Sequence, residues 1–100
     1  MMTNMNLNEY RDECHKTAVE KGFWDATKSI PTKLMLVVTE LGEACEAHRK
    51  DDPENFVEEI ADVFIRLFDL SGHLNIDIEK EINKKMITNK GRPKLHGKMY

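Results

Sequence analysis

Cysteine is scarce in this chain. Cys14 and Cys45 lie in unrelated stretches, without CxxC spacing or a neighbouring His pair. That argues against a zinc site and for free, buried thiols in a reducing compartment. Long apolar runs are missing as well: no stretch approaches the roughly 20 residues that a membrane span needs. The opening "MMTNMNLNEY" carries neither the basic cluster nor the apolar core of a secretory signal. Together these absences predict a cytoplasmic protein with no membrane partner. Internal repeats, low-complexity segments and the β-branched alternation of strands are absent too. What remains is helix.

With 100 residues, 40% of them hydrophobic and 33% charged, the chain fits one domain spanning residues 1–100. A domain of this size buries roughly 60 to 65% of its unfolded surface. The pattern predicts four helices. The first covers about residues 8–21, with Leu7, Tyr10, Cys14 and Ala18 on one face and Gly22 ending it. "GFWDATKSIP" supplies breakers and caps and is expected to be a loop. The second helix covers about residues 31–50, "DDP" turns the chain, and the third runs from Pro53 to about residue 74. Asp77 caps a fourth that ends near residue 89, and the Gly- and Pro-rich remainder reads as an irregular tail. The expected fold is all-α: a four-helix, bundle-like domain around a central antiparallel helix hairpin.

Residues 39–63, "TELGEACEAHRKDDPENFVEEIADV", are dense in carboxylates although the whole chain has a net charge of only -3. At about 100° per residue, Glu40 and Glu43 share one side of the second helix, and Glu59 and Asp62 share one side of the third. In an antiparallel hairpin centred near Asp51, Glu40 stands level with Asp62 and Glu43 with Glu59. Helices packed about 8 to 10 Å apart would bring the four carboxylates into one small volume. Two unit charges about 5 Å apart repel by roughly 3 kcal/mol at an effective dielectric of 20. Such a cluster must protonate, splay or bind a cation. Oxygen donors select Mg2+, with Mn2+ or Ca2+ as alternatives, over Zn2+ or copper. A solvated acidic helix pair is the competing reading, but Leu36 and Ala47 flank the acidic pair along an apolar stripe, and a fully wet face seldom has one.

The third helix carries a broad apolar arc: Phe56, Ile60, Val63, Phe64, Leu67, Phe68, Leu70 and Leu74. One neighbouring helix cannot cover it, which predicts a second subunit. Charge is also divided along the chain. Residues 84–100 hold six basic residues and no acidic one, whereas residues 1–83 hold nine basic and 18 acidic. Lys85, Asn89 and Arg92 recur at spacings of four and three, so a last helical turn presents them together for phosphate. A carboxylate cage beside a basic terminus suggests a polyphosphate bridged by the ion. The terminus lacks interleaved aromatics and so offers no stacking platform, which argues against nucleic acid as the partner.

Glu40-x-x-Glu43, 15 residues, then Glu59-x-x-Asp62 on consecutive helices resembles the signature of the MazG-like nucleotide pyrophosphohydrolases, of the all-α nucleoside triphosphate pyrophosphatase superfamily. "KMITNKGRPKLHGK" is similar to the Lys, Asn, Arg-Pro and His-Gly-Lys pattern that closes many such domains, and "GFWD" has the look of that group. The resemblance spans nearly the whole chain. It implies Mg2+-dependent hydrolysis of a (d)NTP to (d)NMP and pyrophosphate by metal-activated water, in a homodimer or homotetramer. Glu40, Glu43, Glu59 and Asp62 would be the metal ligands and catalytic groups. Lys85, Asn89 and Arg92 would contact phosphate, with Lys94 and Lys98 as weaker candidates. Relatives carry an aromatic residue where this chain has Arg66.

Trp24, the only tryptophan, precedes the metal-bearing helix and is the candidate for stacking on a base; its alternative is to seal the end of a small core. Lys33 shares the direction of Glu40 and is a further candidate for substrate contact. His15, His48, His73 and His96 show no mutual spacing that suggests a metal or a triad. Two other functions stay open: a non-catalytic helical interaction module, and a pyrophosphohydrolase acting on another substrate such as phosphoribosyl-ATP.

Overall fold

Each of the four long helices begins at a short polar side chain that occupies otherwise unpaired backbone N–H groups. The computed structural model describes residues 4–94. In α1 (Leu7–Glu20) the Asn6 side chain accepts from the Glu9 N–H at 2.9 Å while Glu9 Oε1 accepts from the Asn6 N–H at 3.0 Å, a reciprocal capping box. Ser29 caps α3 (Ile30–Arg49), with Pro31 in its first turn. Asp52 caps α4 (Pro53–His73), and Asp77 caps α5 (Ile78–Lys90). These match the four expected helices to within a residue or two. The difference is α2 (Phe23–Ala26), a single turn inside the stretch expected to be loop. Gly22 adopts φ 81, which ends α1 and redirects the chain, and the Asp25 and Ala26 N–H groups then bond back to the Gly22 carbonyl. The described residues form helices and short connections, with no strand among them. No described helix is long and apolar enough to cross a membrane.

α3 and α4 form the expected hairpin. Asp51 takes the left-handed φ of 52 at its tip, and the Asp52 N–H donates to the Ala47 carbonyl at 3.0 Å, closing the end of α3. Asn75 (φ 55) plays the same part after α4, where the Ile76 N–H reaches the Ser71 carbonyl. α1 lies antiparallel on α4: Arg11 donates to the Ile76 carbonyl, just past the end of α4, at 2.7 Å, and His15 meets Asp69, seven residues earlier and inside α4. Gly72 makes this approach possible, because a Cβ there would stand 2.7 Å from the His15 Cβ. α2 carries Trp24 into a small core with Ala18, Leu70 and Ile30.

α5 is fastened at its start only. Glu79 Oε1 accepts from the Leu7 N–H, the Asn8 side chain donates to Asp77 and accepts from the Glu79 N–H, and from Lys80 onward every residue of the helix is exposed. The radius of gyration, 15.8 Å, accordingly exceeds the roughly 13 Å of a compact chain of this length. Large apolar side chains remain uncovered on all five helices, among them Val19, Phe23, Met35, Phe64 and Ile87. Of the expected irregular tail, residues 91–94 make only a turn, and Lys98 and His96 lie outside the described residues.

Candidate functional site

The hairpin brings three of the four expected carboxylates together. Glu40 and Glu43 of α3 and Glu59 of α4 each offer an oxygen within 4.8 Å of the others. Glu40 is buried, with Val37, Ala44 and Ala47 buried along the same helix, whereas Glu43 is exposed and Leu36 half-buried, so only Glu40 of the acidic pair interrupts the apolar stripe. Glu59 meets Glu43, its expected partner across the hairpin, and Glu40 as well.

Asp62 differs from expectation. It lies outside the group of three, and Glu40 pairs with Arg66, whose Nε donates to Glu40 Oε1 at 2.9 Å. The reason is directional: side chains on a helix lean toward its N-terminus, so the long Arg66 side chain reaches back one turn to the level of Asp62. Asp62 lines the adjoining cavity instead, beside Glu40. The signal for Arg66 was its place one turn after Asp62 in the polar sector of the third predicted helix.

Burial pushes the Glu40 carboxyl up, but the hydrogen bond and charge of Arg66, together with hydrogen bonding to Glu59 and Glu43, hold it below the usual range. Glu59 goes the other way. Hydrogen bonding to Glu40, then to Glu43, together with burial and the repulsion of both charges, pushes its carboxyl up to about 7. Its Oε2 is buried with no hydrogen-bond partner. Three carboxylates with one orphaned oxygen make a hard, anionic donor set that suits Mg2+ or Mn2+ better than softer metals.

Two cavities flank the cluster. One, about 430 Å³, is walled by Tyr10, Phe23 and Ile65 and edged by Glu40, Asp62 and Arg66. The other, about 270 Å³, is lined by Glu43, Glu46, Lys50, Asn55 and Glu59. No family model, curated protein or solved structure matches this chain. What the site can do must therefore be read from its own geometry.

The basic residues do not join the carboxylates within one chain. Lys85 and Asn89 lie on the exposed part of α5, Arg92 and Lys94 just past it, and none of the four lines either cavity. α5 starts at the N-terminus of α1, at the end of α4 remote from the hairpin tip, which keeps its contacts away from Glu43 and Glu59.

Trp24 is placed as the seal of the core. It is 5% exposed, its ring stacks on His73 with centroids 3.7 Å apart, the Lys33 ammonium sits 4.2 Å from the ring centroid, and its Nε1 donates to Asp69 Oδ1 at 2.8 Å. The indole therefore offers no open face to a base. Lys33 is likewise committed, donating to the Phe23 carbonyl at 2.7 Å. Sequence spacing missed this set, which also includes His15 Nδ1 at 2.9 Å from the same Asp69 oxygen. His15, Trp24 and His73 come from three helices, so no spacing within one segment reveals them. The expectation of buried thiols is corrected: Cys14 and Cys45 are both free, but Cys14 is only half-buried and Cys45 is exposed. Burial, aided by Asp69 and Glu13, pushes the Cys14 thiol up.

Proposed function

We propose that this chain is a Mg2+-dependent nucleoside triphosphate pyrophosphohydrolase of the MazG-like kind, acting as a homodimer or homotetramer. The observation that carries the reading is the meeting of Glu40, Glu43 and Glu59 around a buried, unpartnered Glu59 oxygen. In the proposal these three carboxylates hold the ion, and Asp62 completes the set from the cavity side. When bound, Mg2+ supplies neutralising charge to phosphate oxygens and a more acidic water. The mostly apolar cavity beside Glu40, walled by Tyr10, Phe23 and Ile65, suits the nucleoside end of a substrate.

The assembly is part of the same proposal. A thin core and large uncovered apolar side chains on α3, α4 and α5 support burial against a second copy. In such an assembly the exposed Lys85, Asn89, Arg92 and Lys94 of one copy would supply phosphate contacts to the site of another, which a single chain does not do.

The alternative, a non-catalytic helical interaction module, is favoured by one observation: Arg66 neutralises Glu40 without any ion. Pyrophosphate release separates the two readings. Incubation with Mg2+ and a panel of ribo- and deoxynucleoside triphosphates, with phosphoribosyl-ATP included, should release pyrophosphate from at least one nucleoside triphosphate. Glu43→Gln and Asp62→Asn should abolish the release while leaving the helical circular dichroism unchanged. Silence across the panel favours the module, and release from phosphoribosyl-ATP alone moves the substrate assignment.

A further inference from the structure

Arg66 stands at a boundary. Its Nε is 2.9 Å from Glu40 Oε1, in a pair whose carboxylate side chain is only 10% exposed, while the Arg66 side chain is 35% exposed and edges the cavity walled by Tyr10, Phe23 and Ile65. The same arginine thus touches the carboxylate cluster on one side and open space on the other. A dication among Glu40, Glu43 and Glu59 would take the charge of Glu40 and repel the guanidinium beside it. The arginine would then lose its ion-pair partner, since among the described residues no second carboxylate pairs with it.

We propose that Arg66 is an exchangeable counter-ion: it neutralises Glu40 while the cluster holds no cation, and is released to bind a phosphate-bearing anion in the adjoining cavity when a cation binds. This rests on the cation reading of the three carboxylates and adds an order to it, with the metal first and the anion second. Arginine suits the task because it stays charged at any working pH and its planar fork matches carboxylate and phosphate oxygens alike. In this role Arg66 couples the two ligands, so that the anion binds weakly before the cation does.

The arrangement makes two predictions of opposite sign from one substitution, which a merely structural arginine would not. Removing the competing cation with Arg66→Gln should tighten Mn2+ binding, read from the electron paramagnetic resonance of free Mn2+, by about tenfold, the factor associated with one hydrogen bond to a charged group. The same variant should bind inorganic triphosphate about tenfold more weakly at saturating Mn2+. Glu40→Gln gives the reciprocal test without any metal: a neutral Glu40 position frees the arginine, so metal-free triphosphate binding should rise above wild type. This second variant decides the matter should Arg66→Gln fail to fold. Mn2+ bound by wild type but no more tightly by folded Arg66→Gln, or no gain in metal-free triphosphate binding by Glu40→Gln, overturns the exchange and leaves the cation site standing. Wild type that binds no Mn2+ at all overturns both.

Discussion

Replacing Gly72 by alanine tests the contact that seats α1 on α4 and so forms one wall of the cavity. Two effects oppose each other. Alanine is favoured over glycine in a helix by up to about 1 kcal/mol. Against this, the new Cβ would stand 2.7 Å from the His15 Cβ, 3.1 Å from its Cγ and 3.2 Å from the Arg11 carbonyl oxygen. Ordinary carbon contacts sit at roughly 3.5 to 4.0 Å. The obstructing Cβ is fixed to the α1 backbone, so the helix itself must withdraw by about 1 Å, which strains the 2.9 Å contact between His15 and Asp69. Overpacking of this kind costs about 1–3 kcal/mol. At the middle of both ranges the clash wins: about 2 kcal/mol of overpacking against somewhat under 1 kcal/mol of helix propensity leaves a net loss of about 1 kcal/mol, a fall in Tm of about 4–8 °C for a domain of this size. Gly42, midway along α3, is the control, because nothing lies within 4 Å of its would-be Cβ. Gly42→Ala should gain about 0.5–1 kcal/mol. Urea unfolding followed by circular dichroism at one protein concentration measures both. A Gly72→Ala chain as stable as wild type would refute the close approach of α1, and a destabilised Gly42→Ala would show that this face of α3 is not open.

Trp24→Phe removes the donor to Asp69 and should lower stability by about 1.5–3 kcal/mol while leaving nucleotide affinity intact; lost affinity at unchanged stability would return Trp24 to base stacking. Glu59 makes stability depend on pH in a defined direction. Its carboxyl is raised from 4.5 to about 7, so the folded state holds this proton more tightly than the unfolded chain. The contribution is fully present below about 4.5 and is lost as pH rises through about 7. Glu59→Gln should therefore flatten the fall of Tm between those limits in metal-free buffer, and an unchanged slope would contradict the shared proton. Added Mg2+ should raise the melting temperature of wild type by mass action, and an unmoved curve at millimolar Mg2+ would count against a formed site. Light scattering at micromolar concentration should give the mass of a dimer or tetramer, and a monomer would contradict the assembly.

Much of the helical frame was legible residue by residue. Asp77, Pro53 and Gly22 mark helix ends because capping and φ restrictions act over three or four residues, within reach of a local reading. α2 escaped because a single turn offers no periodicity to detect, and it formed where Gly22 reversed the chain and burial of Trp24 fixed it. Within the candidate site, the level-matching of Glu43 and Glu59 about Asp51 followed from helical rise alone. Arg66 was visible as a polar residue in the right sector, but its preference for Glu40 was not.

The sequence by itself determined which segments are helices, that two of them fold back as a hairpin, and that their acidic faces meet. Only the tertiary structure decided that Arg66 rather than Asp62 pairs with Glu40, that Trp24 is enclosed by His73, Lys33 and Asp69, and that the basic part of α5 stands apart from the carboxylates. The division has one physical cause. Directions along a single helix are set by a fixed rotation per residue, whereas the choice of partner between helices depends on side-chain length, lean and the competition of all neighbours for the same space.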